Sequence, residues 1–200
     1  MTAKPLKVAA IVLAAGRSSR MAPRNKLLEL IEAEPIVAHV VSAATASGAD
    51  LVVVVTGFEA ERVGAVLRGL KMKVVHNADY EHGLSTSLRA GLEALSGEMD
   101  GALILLGDMP KIESEDLDAL IAAFKGREAI CVPVRDGRRG NPVLWGAAHF
   151  AEMTKITGDM GAKPLMAKYP EHVVDVPVES DRIFTDIDTP SDFARLKAKR

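Results

Sequence analysis

The chain has 200 residues, 48% hydrophobic and 26% charged, with a net charge of −2 at pH 7. That composition supplies a full core and excludes a disordered chain. The near-neutral balance and an aromatic content of only 4% exclude a general polyanion binder and a base-stacking platform for single-stranded nucleic acid.

Apolar runs at 8–13, 51–55, 72–75, 102–106 and 129–134 alternate with helical periodicity near 35–47, 59–69, 84–96 and 114–124. Leu84, Leu88, Leu92 and Leu95 fall on one face of the third helix. Gly48 and Ser114 stand where a C-cap and an N-cap belong. Continuous apolar strands separated by helices predict an α/β fold, a mostly parallel sheet with helices on both faces. After residue 134 the rhythm breaks. Arg135 to Pro142 reads as a turn between two short strands, a small antiparallel excursion. Helices near 147–155 and 162–168 follow, then a strand over 172–176. Thr189 as N-cap and Pro190 at the first helical position open a last helix. With no repeat and no linker, a single domain over 1–200 is expected.

Cys131, the one cysteine, lies in an apolar run and reads as a buried structural thiol. Lys4 and Lys7 precede nine small or apolar residues, as in a short signal peptide, but Arg17-Ser-Ser-Arg20 follows at once. No apolar run approaches the length of a membrane span. The expectation is a cytoplasmic protein without a membrane partner.

The first strand ends in Leu13-Ala14-Ala15-Gly16-Arg17-Ser18, a small-residue turn at the carboxyl edge of the sheet, where open α/β folds bind ligands. Small side chains let a ligand lie against main-chain N–H groups, and Arg17, Arg20 and Lys26 add cations with no intervening acid. This suits a triphosphate. Neither G-x-G-x-x-G nor G-x-x-x-x-G-K-[ST] is present, and the absence of the first argues against a nicotinamide-dependent oxidoreductase.

Asp108 follows the apolar run 102–106 and Gly107, at the carboxyl end of a central strand. A carboxylate there caps, pairs or binds a cation. Opposite a triphosphate loop it suits Mg²⁺, which takes one or two carboxylates plus phosphate oxygens; a turn aspartate before proline is the plain alternative. The segment from Asn77 to Arg89 joins a strand to a helix at the same edge. Asn77 offers an amide to a nucleobase, and Ser85, Thr86 and Ser87 offer hydroxyls and N–H groups to a base or phosphate, or serve as ordinary caps. Asp186-Ile-Asp188 precedes the last helix and supplies either capping or a second metal carboxylate.

In order along the chain, L-A-A-G-R-S-S-R-M with N-K-L-L at 25–28, G-L-S-T-S-L-R-A-G-L at 83–92, G-D-M-P at 107–110, G-N-P-V-L at 140–144, G-D-M-G-A-K at 158–163 and D-I-D-T-P-S-D at 186–192 resemble the MobA-like nucleotidyltransferases. Among these the chain looks most like the molybdenum cofactor cytidylyltransferases. The resemblance implies a Rossmann-like fold and Mg²⁺-dependent transfer of a nucleotide monophosphate to a phosphorylated acceptor. It implies that Leu13, Ala14, Ala15, Gly16, Arg17, Ser18 and Lys26 hold the triphosphate, with Asn77, Ser85 and Ser87 on the base side. It makes Arg20, Lys26 and Asp108 the catalytic group and Asp108 with Asp188 the metal ligands. Asn141, Asp159, Lys163 and Asp186 would face the acceptor. L-A-A-G in place of the L-A-G-G of guanylyltransferase relatives implies CTP over GTP, with molybdopterin as acceptor and the recipient molybdoenzyme or its chaperone as a further partner. The chain departs from the pattern at Ala22, at Ala33-Glu34-Pro35 and at Lys163. Two other readings stay open: guanylyl transfer to molybdopterin or cytidylyl transfer to a sugar or polyol phosphate, and a non-catalytic nucleotide-binding protein that delivers the cofactor.

Overall fold

A computed structural model describes residues 4–21, 23–95 and 98–198, and Ala22 lies outside them. The strands are β1 (Val8–Ala14), β2 (Leu30–Ile31), β3 (Glu34–Pro35), β4 (Leu51–Thr56), β5 (Lys73–His76), β6 (Gly101–Leu106), β7 (Ile130–Arg135), β8 (Arg138–Arg139), β9 (Val143–Gly146) and β10 (Val173–Pro177). The α-helices are α1 (Ile36–Ala46), α2 (Ala60–Val66), α3 (Leu84–Glu93), α4 (Ser114–Ala123), α5 (Phe150–Met153) and α6 (Pro190–Ala198). The main sheet runs β10-β7-β9-β6-β1-β4-β5, with β8 on β7, while β2 and β3 form a separate hairpin. β1 lies parallel between β4 and β6, β5 is parallel to β4, and β10 is parallel to β7. β9 is antiparallel to both of its neighbours, β6 and β7, which is the expected excursion.

The alternation of side chains along β1 divides the core in two. Val8, Ala10, Val12 and Ala14 pack with α1, with Val63 of α2, and with Leu117, Leu120 and Phe124. Ile11 and Leu13 pack on the other face with Leu88 and Leu92 of α3, Met153 of α5 and Trp145. Every residue of β1 is buried, as a parallel strand covered on both faces requires. Among the described residues no helix is long and apolar enough to cross a membrane.

Several expected ends move. Glu113, not Ser114, caps α4: its side chain accepts from the third helical N–H while Asp116 accepts in return from the Glu113 N–H. The expected helix near 162–168 is a 3₁₀ turn over Lys163–Ala167, and the one near 147–155 is a 3₁₀ turn leading into the four residues of α5. α3 ends at Glu93, so Leu95 continues its apolar stripe only from the turn beyond. The start of α6 is as expected, with Asp192 N–H donating to Thr189 Oγ1 at 3.2 Å and Thr189 N–H to Asp192 Oδ2 at 2.9 Å.

Candidate active site

The carboxyl ends of β1, β4 and β6 lie side by side, with Leu13 paired to both Val55 and Leu106. Gly107 N–H donates to Leu13 O at 3.0 Å, so the turn carrying Asp108 starts against the turn of the first loop. Ile187 N–H donates to Asp108 O at 3.1 Å, which lays the 186–188 segment along Asp108. The turn just before that segment, Asp181–Phe184, is anchored to α4 by Arg182, whose guanidinium donates to both oxygens of the buried Asp116 at 3.1 and 3.3 Å.

A cleft of about 540 Å³ opens over these ends, lined among others by Leu13, Ala15, Gly16, Arg17, Lys26, Ser87, Asp108 and Asp159. At its floor Lys26 Nζ donates to Asp108 Oδ2 at 2.5 Å and to Asp188 Oδ1 at 2.8 Å. Arg20 Nη1 donates to Asp188 Oδ2 at 2.9 Å. Burial opposes the Lys26 charge, but Asp108 and Asp188 outweigh it and hold the ammonium above its ordinary range. The hydrogen bond from Lys26, with the charges of Lys26 and Arg20, keeps the Asp188 carboxyl below the usual carboxylate value. Asp186 is pushed up, by loss of water on its inner side and then by the charges of Asp108 and Asp188.

Ser18 shapes the loop from within. It sits at φ 53° in the left-handed region, accepts from Lys26 N–H at 3.1 Å through Oγ, and donates to Asn25 Oδ1 at 3.4 Å. Asn25 Oδ1 also accepts from Leu27 N–H at 3.1 Å. This clip fixes the backbone of Lys26 against the first loop.

Asp108 Oδ1 is buried with no hydrogen-bond partner, an acceptor turned away from water. With Asp188 it gives two carboxylates beside a phosphate-sized cleft. Among the described residues there is no cluster of three or more His, Cys, Asp and Glu side chains ready to hold a metal. A pair is the donor set of a hard cation that completes its shell with phosphate oxygens, so the residues fit Mg²⁺.

The expected residues divide. Leu13, Ala15, Gly16, Arg17, Lys26, Ser87, Asp108 and Asp159 line the cleft, while Ala14, Ser18, Arg20, Asn77, Ser85, Asn141, Lys163, Asp186 and Asp188 do not. Asp188 and Arg20 join it through the hydrogen bonds from Lys26 and Arg20 to the Asp188 carboxylate. Asn77 corrects the expectation of a free amide. Its Nδ2 donates to Thr86 Oγ1 at 2.9 Å and to Ser87 Oγ at 3.0 Å, and its Oδ1 accepts from Asp79 N–H at 2.9 Å. It braces the β5–α3 loop. Ser85 is likewise turned inward, 1% exposed, with its N–H donating to Gly158 O at 3.1 Å. Asn141 N–H donates to Ile183 O at 3.0 Å, and Lys163 is exposed at the start of its 3₁₀ turn. Arg17 pairs with the exposed Glu81 at 3.5 Å.

Sequence reasoning missed Tyr80, Leu84 and Leu106 in the lining. Tyr80 rests on Gly57, beside Ala15, and tilts against Phe58 with ring centres 6.5 Å apart. On the far side of the cleft Gly83, at φ +103°, presses on the backbone of Gly158. A larger open groove of about 1100 Å³ lies elsewhere, between the β2–β3 hairpin and α4. Its Glu113 and Arg182 are paired to each other, and none of the expected site residues line it.

A small-residue loop, a half-buried lysine and two carboxylates at the carboxyl edge of a parallel sheet define a phosphate-handling α/β protein of the nucleotidyltransferase type. The chain belongs to the MobA-like NTP transferase domain family, whose model matches residues 10–173. It is 35% identical over 130 residues to the bifunctional protein GlmU of Sorangium cellulosum, covering 62% of this chain and 28% of that one. The chain thus spans under a third of that relative's length. A nucleotidyl transferase from Methanothermobacter superposes with a TM-score of 0.84 at 27% identity, over 95% of each chain. Rv0371c of Mycobacterium tuberculosis, in complex with manganese, superposes with a TM-score of 0.82 at 25% identity, over 97% of this chain and 100% of that one.

Proposed function

We propose that this protein transfers CMP from CTP to the terminal phosphate of molybdopterin, releasing pyrophosphate, as a cytoplasmic step in building a molybdenum cofactor. The observation that carries the reading is Lys26 bonded to both Asp108 and Asp188 at the floor of a cleft walled by the 13–17 loop. Family membership supports nucleotidyl transfer, and the manganese bound by the mycobacterial relative supports a divalent cation. CTP and molybdopterin rest on the sequence resemblance, on Leu13-Ala-Ala-Gly16 above all.

On this reading the 13–17 loop cradles the triphosphate, and Lys26 and Arg20 balance the charge of the departing pyrophosphate. Mg²⁺ held by Asp108 and Asp188 would neutralise phosphate charge. Asp159 and Asp186 face the acceptor, whose phosphate oxygen attacks the α-phosphorus in line. Such an acceptor needs no strong base, so positioning and charge stabilisation carry the reaction. The test is pyrophosphate release with Mg²⁺ and molybdopterin across a panel of nucleoside triphosphates. Release with CTP supports the reading. Binding of CTP without release makes the protein a nucleotide-binding delivery factor instead.

A further inference from the structure

Asp108 and Asp188 carry four carboxylate oxygens between them. Lys26 takes one from each, at 2.5 and 2.8 Å, and Arg20 takes a third at 2.9 Å. The fourth, Asp108 Oδ1, is buried without a partner. The Lys26 ammonium therefore fills the gap between the two carboxylates, and its side chain and that of Asp108 are only 13% and 15% exposed. A cation bound to the same two carboxylates needs that gap. Two positive centres do not share it, because in a partly buried site their repulsion is poorly screened. Removing all positive charge would leave Asp108, Asp186 and Asp188 facing one another uncompensated.

Resting on the transferase reading above, we propose that Lys26 is a placeholder cation: it occupies the divalent-metal seat between Asp108 and Asp188 and leaves it for the triphosphate when nucleotide arrives with its cation. Lysine suits this role. Its ammonium is a compact point charge on a flexible four-carbon stem, and it needs no fixed bidentate geometry. The chemical consequence is that a divalent cation alone competes with Lys26 and binds weakly. A triphosphate draws Lys26 away, so nucleotide and cation each favour the other's binding. The carboxylates stay compensated throughout.

The test titrates Mn²⁺ alone into the full chain, without nucleotide, and reads the free-ion signal by electron paramagnetic resonance. Lys26→Met should bind Mn²⁺ on the order of tenfold more tightly than the wild type. Lys26→Arg, which keeps a cation, should show no gain, and Asp108→Asn added to Lys26→Met should remove it. Thermal melts provide a second readout, in which Mn²⁺ raises the Tm of Lys26→Met more than that of the wild type. Should Lys26→Met fail to fold, Lys26→Gln is titrated in its place with the same direction expected. Unchanged or weaker Mn²⁺ binding by the neutral variant overturns the proposal, as does a gain that survives Asp108→Asn. Pyrophosphate release by the wild type from CTP reports on the transferase reading separately, so that reading can stand when the placeholder role falls.

Discussion

Tyr80 packs directly onto Gly57: a Cβ on Gly57 would lie 2.6 Å from Tyr80 Cβ and 2.8 Å from Ala15 Cβ. Only hydrogen fits there. Gly57→Ala should push Tyr80 from its place in the cleft wall, lowering stability by about 1–3 kcal/mol and weakening CTP binding. Thermal melts and calorimetry measure the two effects. A variant that matches the wild type in both shows that Tyr80 does not shape the nucleotide site.

Ala15 is 3% exposed, and its methyl lies against the same Gly57 and lines the cleft. Ala15→Gly removes that methyl from the lining and should relax a preference for CTP toward GTP. The ratio of kcat/KM for the two nucleotides, with molybdopterin as acceptor, reads this directly. Equal use of GTP and CTP by the wild type would reject cytidylyl transfer and leave nucleotidyl transfer standing.

Asp108→Asn keeps the size of the side chain and removes its charge. It should leave the fold intact and lower kcat on the order of 10²–10³, as expected for losing one central electrostatic group. Retention of more than half the wild-type rate makes Asp108 a turn residue only.

Lys26→Ala should weaken CTP far more than CMP, because only CTP carries the β- and γ-phosphates assigned to Lys26. Calorimetry with both ligands decides it. Equal losses would place Lys26 away from the triphosphate.

Burial in β7 pushes the Cys131 thiol from its ordinary 9.0 up to about 11. The folded chain thus keeps this proton after the unfolded chain has lost it. The preference for the folded state conferred by the neutral thiol is complete below pH 9 and is lost as pH rises toward 11. Cys131→Ala should flatten the fall in Tm between neutral and alkaline pH by that contribution, even though it lowers Tm at neutral pH. An identical pH slope in both proteins would show that the thiol ionises as freely in the fold as outside it.

The sheet and its order of strands and helices were legible because apolar periodicity is local. So was the first loop, where the small residues and the cations adjoin. What escaped depends on distance in the chain. Lys26 meets Asp108 and Asp188 across 82 and 162 residues, and no local pattern distinguishes that pairing from three separate phosphate or metal contacts. Tyr80 reaches the cleft only because β1 and β4 run in register, which brings Ala15 and Gly57 to one point beneath it. Asn77 read as an open amide because its partners, Thr86 and Ser87, are reached only through the fold of the intervening turn. The helix ends moved for smaller reasons, as where Glu113 and Asp116 made a reciprocal cap one residue before the serine that looked like one.

Gly83 and Gly158 touch backbone to backbone: a methyl on Gly83 would lie 2.5 Å from the carbonyl carbon of Gly158. The 154–163 segment is tied to α3 again by Arg89 Nε donating to Thr154 O at 2.9 Å. The 154–163 segment is therefore not an independent cassette. Grafting one from a relative to change acceptor choice would set a surface shaped elsewhere against a residue with no side chain at 83 and a guanidinium at 89. Exchanges that move the loop together with α3 preserve that fit, and exchanges of the loop alone break it at its most crowded point.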